Sequence, residues 1–290
     1  MNTARVNREA TMTKTYQPSF GLMPNRLCMF LILSVLLPLP ALAFENPSQP
    51  TSTQETSPKD LHAHWDYLGV ESPSHWGMLS KEYMTCETGN RQSPINITMT
   101  HHGDHQQKLV FHYQTSQLHE INNGHTIQVS HVSGCRVDLN DRKYKLRQFH
   151  FHAPSEHHIE GKTFPMEVHL VHQDETGHVL VVAVIMVTDA PHPVLSKLWK
   201  WLPEQTEQEV SIPLELNLAD ILPTNTNHYT YSGSLTTPPC TEGVQWIVLK
   251  DPMHVTQQDI DQFVQIIGHN VRPIQHLGDR HIDDDKVNPR

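Results

Sequence analysis

The sequence predicts a mainly β, α+β fold in a single domain. Several segments alternate apolar and polar side chains, as strands with one buried face do. A further segment, residues 179–187, is an almost unbroken apolar run that is typical of a central strand buried on both faces. The alternating segments are 108–113, 121–129, 148–152 and 167–171.

Helical periodicity marks two peripheral segments. In 192–202 the apolar residues recur at i, i+3, i+4 and i+7, and Pro203 ends the pattern. A second helix is predicted to begin after an N-cap at Thr256, with Asp259 at position N3. Both helices are expected to support the sheet and to take no part in chemistry.

The first 43 residues have the pattern of a signal peptide. Arg26 precedes the apolar run 27–39, and Ala41-Leu42-Ala43 supplies the small-x-small cleavage pattern. A transmembrane anchor is the alternative, but it needs about 20 apolar residues, and prolines interrupt this shorter run. Residues 44–59 are polar and proline-rich and predict a disordered linker. The domain is then expected to cover residues 60–280, with 281–290 as a solvated C-terminal tail.

Charge and composition exclude several classes of function. Without residues 1–43 the chain keeps 247 residues, enough for one large core, and a formal net charge of −13. This charge argues against nucleic acid or an anionic membrane surface as a partner. The sequence has no Rossmann glycine fingerprint, phosphate loop or Gly-x-Ser-x-Gly nucleophile motif.

Two short segments predict a cluster of three imidazoles. In the strand 148–152, the side chains of Gln148, His150 and His152 share one face, and two phenylalanines occupy the other. In the strand 167–171, Glu167 and His169 share a face. If the two strands are neighbours, the three histidines surround one point.

Three neutral imidazoles with an open fourth position form the ligand set of a catalytic zinc site. A structural zinc site is usually closed by a fourth protein ligand, often cysteine, and none lies nearby in the sequence. Gln148 and Glu167 are each two residues from a histidine on the same face. Each can therefore accept a hydrogen bond from the outer ring nitrogen, the one that does not bind the metal. An isolated His-x-His pattern in a chain with 23 histidines carries little weight, so the flanking residues matter.

The flanking residues resemble the α-class carbonic anhydrases of bacteria. The similarity rests on several ordered motifs over about residues 60–280: 92–97 (QSPINI), 122–125 (NNGH), 148–157 (QFHFHAPSEH), 167–172 (EVHLVH) and 231–240 (YSGSLTTPPC). The resemblance implies a large, twisted, mostly antiparallel central sheet with short peripheral helices. It also implies cis peptide bonds at Ser93-Pro94 and Pro238-Pro239 and a structural role for Arg272.

The same resemblance implies an activity and a role for each site residue. The activity is the reversible hydration of carbon dioxide to bicarbonate and a proton, by attack of zinc-bound hydroxide. His150, His152 and His169 would bind Zn²⁺, and Thr236 would orient the hydroxide through Glu156. Substrate contacts are assigned to Thr236, Thr237, Val171, Val182, Leu235 and Trp246. The remaining nearby histidines, His157, His158 and His172, are interpreted as packing or surface residues.

Proton export is the other part of the implied mechanism. His125 follows an Asn-Gly turn and matches the proton-shuttle histidine of the family, since imidazole titrates near neutral pH. Asn123, Gln128 and Tyr67 are expected to contact the water network that leads to it. The histidines at 101, 102 and 105 are interpreted as an exposed loop, with a second metal site as the minor alternative.

Three cysteines remain after residue 43, and export to an oxidising compartment predicts one disulfide. Spacing alone leaves the pairing open. The resemblance implies a Cys86–Cys240 bridge, with Cys135 as a buried free thiol. The bacterial type of bridge and the signal peptide favour a location in the periplasm, with secretion as the alternative. Bacterial members of the family are often dimers, so a homodimer is possible.

Two other functions are weighed against this one. A non-catalytic zinc or anion-binding module would lack a ligand or a gating residue, and none of these is missing from the sequence. A zinc esterase acting on another carbonyl substrate would use the same chemistry but needs a wider pocket. The relative rates on carbon dioxide and on an activated ester separate these possibilities.

Overall fold

A computed structural model describes residues 63–102, 107–130 and 133–285 of the protein. The predicted signal peptide and linker lie outside the described residues. None of the described helices is long and apolar enough to cross a membrane.

Fourteen strands are present among the described residues, and twelve of them form one large sheet. Strands β1 and β8 pair separately. The strands are β1 Asn96–Ile97, β2 His101–His102, β3 Leu109–His112, β4 Thr115–Asn122, β5 Ile127–Ser130, β6 Arg136–Leu139, β7 Arg142–His152, β8 His158–Ile159, β9 Met166–Gln173, β10 Val179–Thr188, β11 Glu209–Asn217, β12 His228–Ser234, β13 Glu242–Val255 and β14 Asp283–Asp285.

The large sheet follows the order β11-β4-β5-β7-β9-β10-β13-β12-β14-β2, and β3 joins it through β6, which pairs with β7. Most neighbouring strands are antiparallel; β10 with β13 and β14 with β2 are parallel. The predicted mainly β fold with a mostly antiparallel sheet is therefore confirmed. The apolar run at 179–187 forms β10, in the middle of the sheet between β9 and β13.

The two faces of the sheet carry different apolar clusters. One face holds the larger core, which includes Phe149, Phe151, Leu170 and Leu249. The other holds a smaller cluster built around Trp246. The alternation of side chains along each strand assigns successive residues to these two faces.

Helices are short, and they lie outside the sheet. The α-helices are α1 Trp76–Leu79, α2 Thr85–Thr88, α3 Leu195–Leu198 and α4 Gln257–Ile267, and 3₁₀ turns cover Gly69–Glu71, Lys81–Tyr83, Trp199–Trp201 and Leu218–Ile221. The capping box at the start of α4 is confirmed. The Thr256 side chain accepts a hydrogen bond from the Asp259 backbone N–H, and the Asp259 carboxylate accepts one from the Thr256 backbone N–H.

The helix predicted over 192–202 is shorter than expected. Regular α-helix covers only Leu195–Leu198 and passes into a 3₁₀ turn at Trp199. The His192 ring nitrogen contacts the backbone N–H groups of Val194 and Leu195, each at 3.3 Å. The Ser196 backbone N–H donates to the His192 carbonyl at 2.9 Å, so a single helical bond reaches back across Pro193 before the regular helix begins at Leu195.

The solvated tail predicted for the C-terminal aspartates is wrong at 283–285. These residues form β14, which pairs with β12 on one side and with β2 on the other. Lys250 pairs with Asp284, and Asp285 is buried. The predicted histidine loop is also wrong at 101–102, because His101 and His102 form strand β2 beside β14.

Candidate metal centre

Strands β7 and β9 pair in a register that brings the three predicted histidines together. His150 lies directly opposite His169, and His152 lies opposite Glu167. Directly opposed residues of an antiparallel pair point to the same face. The ring centroids of His150, His152 and His169 are 4.5–5.4 Å apart, and one ligand atom from each lies within 4.8 Å of the others.

The outer nitrogen of each imidazole is held by a hydrogen bond. His150 Nδ1 donates to Gln148 Oε1 at 2.8 Å, and His169 Nε2 donates to Glu167 Oε1 at 2.8 Å. His152 Nδ1 donates to the backbone oxygen of Asn270 at 2.7 Å. These bonds select one tautomer for each ring and leave His150 Nε2, His152 Nε2 and His169 Nδ1 as the free acceptors.

The inner nitrogens have the character of metal ligands. Burial lowers the pKa of all three imidazoles, that of His152 to about 4, so the rings are neutral at pH 7. His152 Nε2 is buried with no hydrogen-bond partner in the described parts of the chain. A buried acceptor without a donor is costly unless a cation or a donor faces it. The three residues therefore fit a tetrahedral N-ligated ion with one open position.

The carboxylate of Glu167 has a second partner that the sequence interpretation missed. His157 Nδ1 donates to Glu167 Oε1 at 2.6 Å, and the His157 backbone N–H donates to Oε2 at 2.8 Å. Burial raises the pKa of Glu167, but the His157 and His169 imidazoles outweigh it and hold that pKa well below its usual range. His157 is buried, as a packing residue would be, and it also fixes the group that orients His169.

The network continues from His157 toward the loop after β12. Tyr231 donates its hydroxyl proton to His157 Nε2 at 2.7 Å, and Ser93 Oγ lies 2.9 Å from the same hydroxyl. Tyr231 begins one recognised motif and Ser93 belongs to another, but the contact of Tyr231 with His157 spans 74 residues and its contact with Ser93 spans 138. No local sequence pattern identifies such a contact.

Glu156 lies beside the imidazole cluster. Its Oε2 is 3.6 Å from His152 Nε2 and 3.9 Å from His169 Nδ1, and its Oε1 accepts from the Arg272 backbone N–H at 2.8 Å. Burial raises the pKa of Glu156 to about 7, and His169, Arg272 and the Thr236 hydroxyl partly oppose that rise. The predicted Thr236 is buried beside this carboxyl group.

Arg272 connects the centre to two distant segments, α2 and the residues 92–93. Its guanidinium donates to Gln92 Oε1, to the Ser93 carbonyl and to the Cys86 carbonyl, at 2.8–2.9 Å. Because the side chain is buried, its pKa falls to about 10. The guanidinium thus braces the chain around the centre, and the Arg272 backbone N–H holds Glu156.

An apolar wall borders the cluster on the same face of the sheet. Trp246 lies with its ring centroid 4.9 Å from that of His169, and Val171 and Leu235 pack in the same small cluster. Thr237 is half-buried in the adjoining loop. Trp246, Val171 and Leu235 thus form one apolar cluster, with Trp246 against the imidazole of His169.

The prediction for Val182 is wrong. Val182 pairs with Leu170 and packs in the large core on the opposite face, with Phe149 and Phe151. Its neighbour Val181 pairs with Val171 and packs against Trp246 instead. Because β10 is apolar on both faces, its sequence gives no alternation from which to assign the inward residue.

His125 lies in the turn between β4 and β5. Its ring stacks on Trp65 with centroids 3.7 Å apart, and Tyr67 packs edge-on at 6.4 Å. Burial lowers its pKa below 6.5; Asp66 raises it and His64 lowers it further, both by smaller amounts. The ring is half-buried and neutral at pH 7.

The three residues predicted to support the water network lie around this turn. Asn123 Oδ1 accepts from the backbone N–H groups of His125 and Thr126, so its carbonyl fixes the turn. Gln128 lies directly opposite His150 in the β5–β7 pair and therefore on the same face. Burial raises the pKa of Tyr67 well above 10, and Glu156 adds to this effect through its charge.

The family model of eukaryotic-type carbonic anhydrases matches residues 71–286. The chain belongs to the α-carbonic anhydrases. It is 42% identical to a carbonic anhydrase of Pectobacterium atrosepticum over 219 residues, covering 75% of this chain and 89% of the relative.

Two further relatives agree with this assignment. A carbonic anhydrase of Neisseria gonorrhoeae is 44% identical over 221 residues, covering 76% of this chain and 87% of the relative. The α-carbonic anhydrase of Thermovibrio ammonificans, solved with the inhibitor sulfanilamide, superposes with a TM-score of 0.72 at 38% identity and covers 77% of this chain and all of that one. The protein is therefore an enzyme of the carbonic anhydrase family.

Three features that the family resemblance implied are confirmed outside the centre. Cys86 and Cys240 form a disulfide, and Cys135 is a buried free thiol. The peptide bonds Ser93-Pro94 and Pro238-Pro239 are cis, and Ala153-Pro154, which was not predicted, is cis as well. The disulfide fixes α2 to the loop that carries Thr236 in this carbonic anhydrase.

Proposed function

We propose that the protein catalyses the zinc-dependent, reversible hydration of carbon dioxide to bicarbonate and a proton, and that His125 carries the proton away. The observation that carries this proposal is the convergence of three neutral imidazoles whose outer nitrogens are all held. His150, His152 and His169 would hold the zinc ion. Bound zinc supplies a Lewis acid that makes a nucleophile from water near neutral pH.

Glu156 and Thr236 orient the attacking group in this proposal. The Thr236 hydroxyl donates its proton to the Glu156 carboxylate, so the threonine oxygen is left as an acceptor. A group at the open fourth position of the metal site must then donate a hydrogen bond to the Thr236 oxygen. This bond orients the lone pair of that group toward the substrate. The Arg272 backbone N–H holds the carboxylate in place for this task.

The apolar wall selects the substrate. Val171, Val181, Leu235 and Trp246 form one surface next to the imidazoles. A narrow apolar surface suits a small linear molecule without hydrogen-bond donors, such as carbon dioxide, better than a bulky ester. Thr237, at the rim of the wall, is assigned to bicarbonate.

His125 removes the proton that each turnover releases. Its lowered pKa leaves the ring neutral at pH 7, so it can accept a proton through water and pass it to buffer. Tyr67, Asn123 and Gln128 border this path. We also propose export to the periplasm, because a disulfide persists in an oxidising compartment.

The test follows carbon dioxide hydration by stopped flow with a pH indicator, before and after a chelator strips the metal and after zinc is restored. We expect fast turnover that disappears with the metal and returns with zinc. Glu156→Gln should keep its zinc and lose about 100-fold in kcat/KM. A folded protein with one bound zinc and no hydration activity would contradict the proposal, and a faster rate on an activated ester would favour the esterase.

A further inference from the structure

A second group of unpaired polar atoms lies on the opposite face of the sheet. His228, at the start of β12, is the register partner of Leu249 on β13 and of Asp285 on β14. Leu249 belongs to the large core, on the face away from the three imidazoles. Paired residues share a face, so His228 and Asp285 face away from the catalytic cluster. Neither belongs to the machinery described above.

His228 and Asp285 present two acceptors to each other. His228 Nδ1 donates to the Thr226 carbonyl at 2.9 Å, so the lone pair of the neutral ring lies on Nε2. Nε2 is 3.9 Å from Asp285 Oδ2, and both atoms are buried without a hydrogen-bond partner among the described residues. The two side chains are 0% and 2% exposed, so bulk water does not solvate them. Two facing buried acceptors repel unless something positive lies between them.

Gln107 contacts Asp285 through its backbone and carries a further unpaired acceptor. Its backbone N–H donates to the Asp285 carboxylate, and its side-chain Oε1 is also buried without a partner in the described chain. A single water has two protons and satisfies two acceptors. A cation attracts a nitrogen lone pair, a carboxylate oxygen and an amide oxygen together.

The arrangement of His228 repeats that of His152 in the catalytic cluster. In both residues Nδ1 donates to a backbone carbonyl, and Nε2 is buried and unpaired. This is how metal-binding histidines are usually held. At zinc–nitrogen and zinc–oxygen distances of about 2.1 Å, tetrahedral ligands are about 3.4 Å apart. A contraction of about 0.5 Å would bring His228 and Asp285 to that separation.

We propose that His228, Asp285 and Gln107 form a second site for a divalent cation such as Zn²⁺, distinct from the catalytic centre. The mixed nitrogen and oxygen ligands suit a borderline ion such as zinc better than calcium or magnesium. Lys250, a described residue whose charge acts on His228, is paired with Asp284, so its charge is compensated. The cation joins β12 to β14 and fixes the C-terminal strand to the sheet.

The experiment measures the molar ratio of zinc to protein after the purified protein is equilibrated with excess Zn²⁺ and passed through gel filtration. Wild type should retain two equivalents, whereas His228→Gln and Asp285→Asn should each retain one and keep full carbon dioxide hydration. His150→Ala should also retain one, because this proposal does not depend on the catalytic site. Asp189→Asn is the matched control: Asp189 pairs with His254 at 3.1 Å on the surface, and its loss should leave two equivalents.

One retained equivalent in wild type overturns the proposal, as does a second equivalent that survives both His228→Gln and Asp285→Asn. Should either variant fail to fold, the site is tested instead by anomalous diffraction from crystals of the zinc-loaded wild type, measured at the zinc absorption edge. An anomalous peak between His228 and Asp285 supports the site. Density without anomalous signal there means a water only and refutes it.

Discussion

His157 donates a hydrogen bond to the same Glu167 oxygen that accepts from His169, at 2.6 and 2.8 Å. The first bond keeps Glu167 ionised in a buried position, and the second sets the tautomer of His169. His157 therefore acts on the metal centre through two intervening groups without touching it.

We expect His157→Asn to weaken zinc binding by about 10- to 100-fold, the usual effect of removing an outer partner of a ligand. The measurement is zinc release to a chromogenic chelator at equilibrium. His158→Asn is the control, since His158 contacts Thr163 and not Glu167. Equal zinc affinity in the His157 and His158 variants would contradict this role.

His125→Ala should reduce kcat by about 100-fold in dilute buffer and leave kcat/KM nearly unchanged, because only proton export is lost. Added imidazole should restore much of the rate. If kcat does not depend on buffer concentration in the variant, His125 is not the shuttle.

The pH profile offers a second test of the same residue. Because burial lowers the pKa of His125, kcat in dilute buffer should rise with pH and reach half its maximum below pH 6.5. Trp65→Ala removes the stacked ring and exposes the imidazole, so the midpoint should move upward toward 6.5. A midpoint that stays in place would show that Trp65 does not control this pKa.

Val181 and Val182 provide a matched pair for the pocket. Val181→Phe adds volume to the wall beside Trp246 and should lower kcat/KM for carbon dioxide with little change in zinc content. Val182→Ala leaves a cavity in the opposite core and should cost about 2 kcal/mol of unfolding free energy with unchanged kcat/KM. The reverse pattern would restore Val182 as the pocket residue.

Removal of the disulfide should destabilise the protein. Cys86 and Cys240 are 154 residues apart, so the bridge closes a long loop in the unfolded chain. We expect Cys86→Ala/Cys240→Ala to lose about 2–4 kcal/mol in chemical denaturation. Cys135→Ala removes a buried thiol without a bridge and should cost less. An equal loss in both proteins would mean that packing, and not the cross-link, accounts for the effect.

Glu120 should make stability depend on pH. Its carboxyl group is fully buried on β4, and burial raises its pKa from 4.5 to about 8. The folded state therefore holds a proton that the unfolded state has released, and stability falls as pH rises from 4.5 through 8. Glu120→Gln should flatten this slope and gain about 3–5 kcal/mol above pH 8. Glu215→Gln, at an exposed position on β11, should leave the slope unchanged.

The sequence predicted those parts of the site that depend on local periodicity. Strand alternation in 148–152 and 167–171 was enough to place His150, His152 and His169 on one face, and the structure pairs those strands. Alternation also assigned Gln148 and Glu167 to their histidines correctly. Family resemblance added the Cys86–Cys240 pairing, which spacing alone left open.

What the sequence could not predict involves contacts between distant residues or strands without alternation. Asn270 holds His152 from 118 positions away, and no local pattern marks it. Val181 was missed because both neighbours in β10 are apolar. The aspartates 283–285 have the composition of a solvated tail, and only pairing with β12 and β2 makes them a strand.

The contacts of Asn270 and Arg272 also bear on the order in which the protein matures. A chain growing from its N-terminus has all three imidazoles by residue 169, but the groups that hold His152 and Glu156 arrive only with residues 270–272. The centre therefore cannot reach the geometry described above before residues 270–272 are present. Its final geometry is set when the last tenth of the polypeptide folds back onto β7.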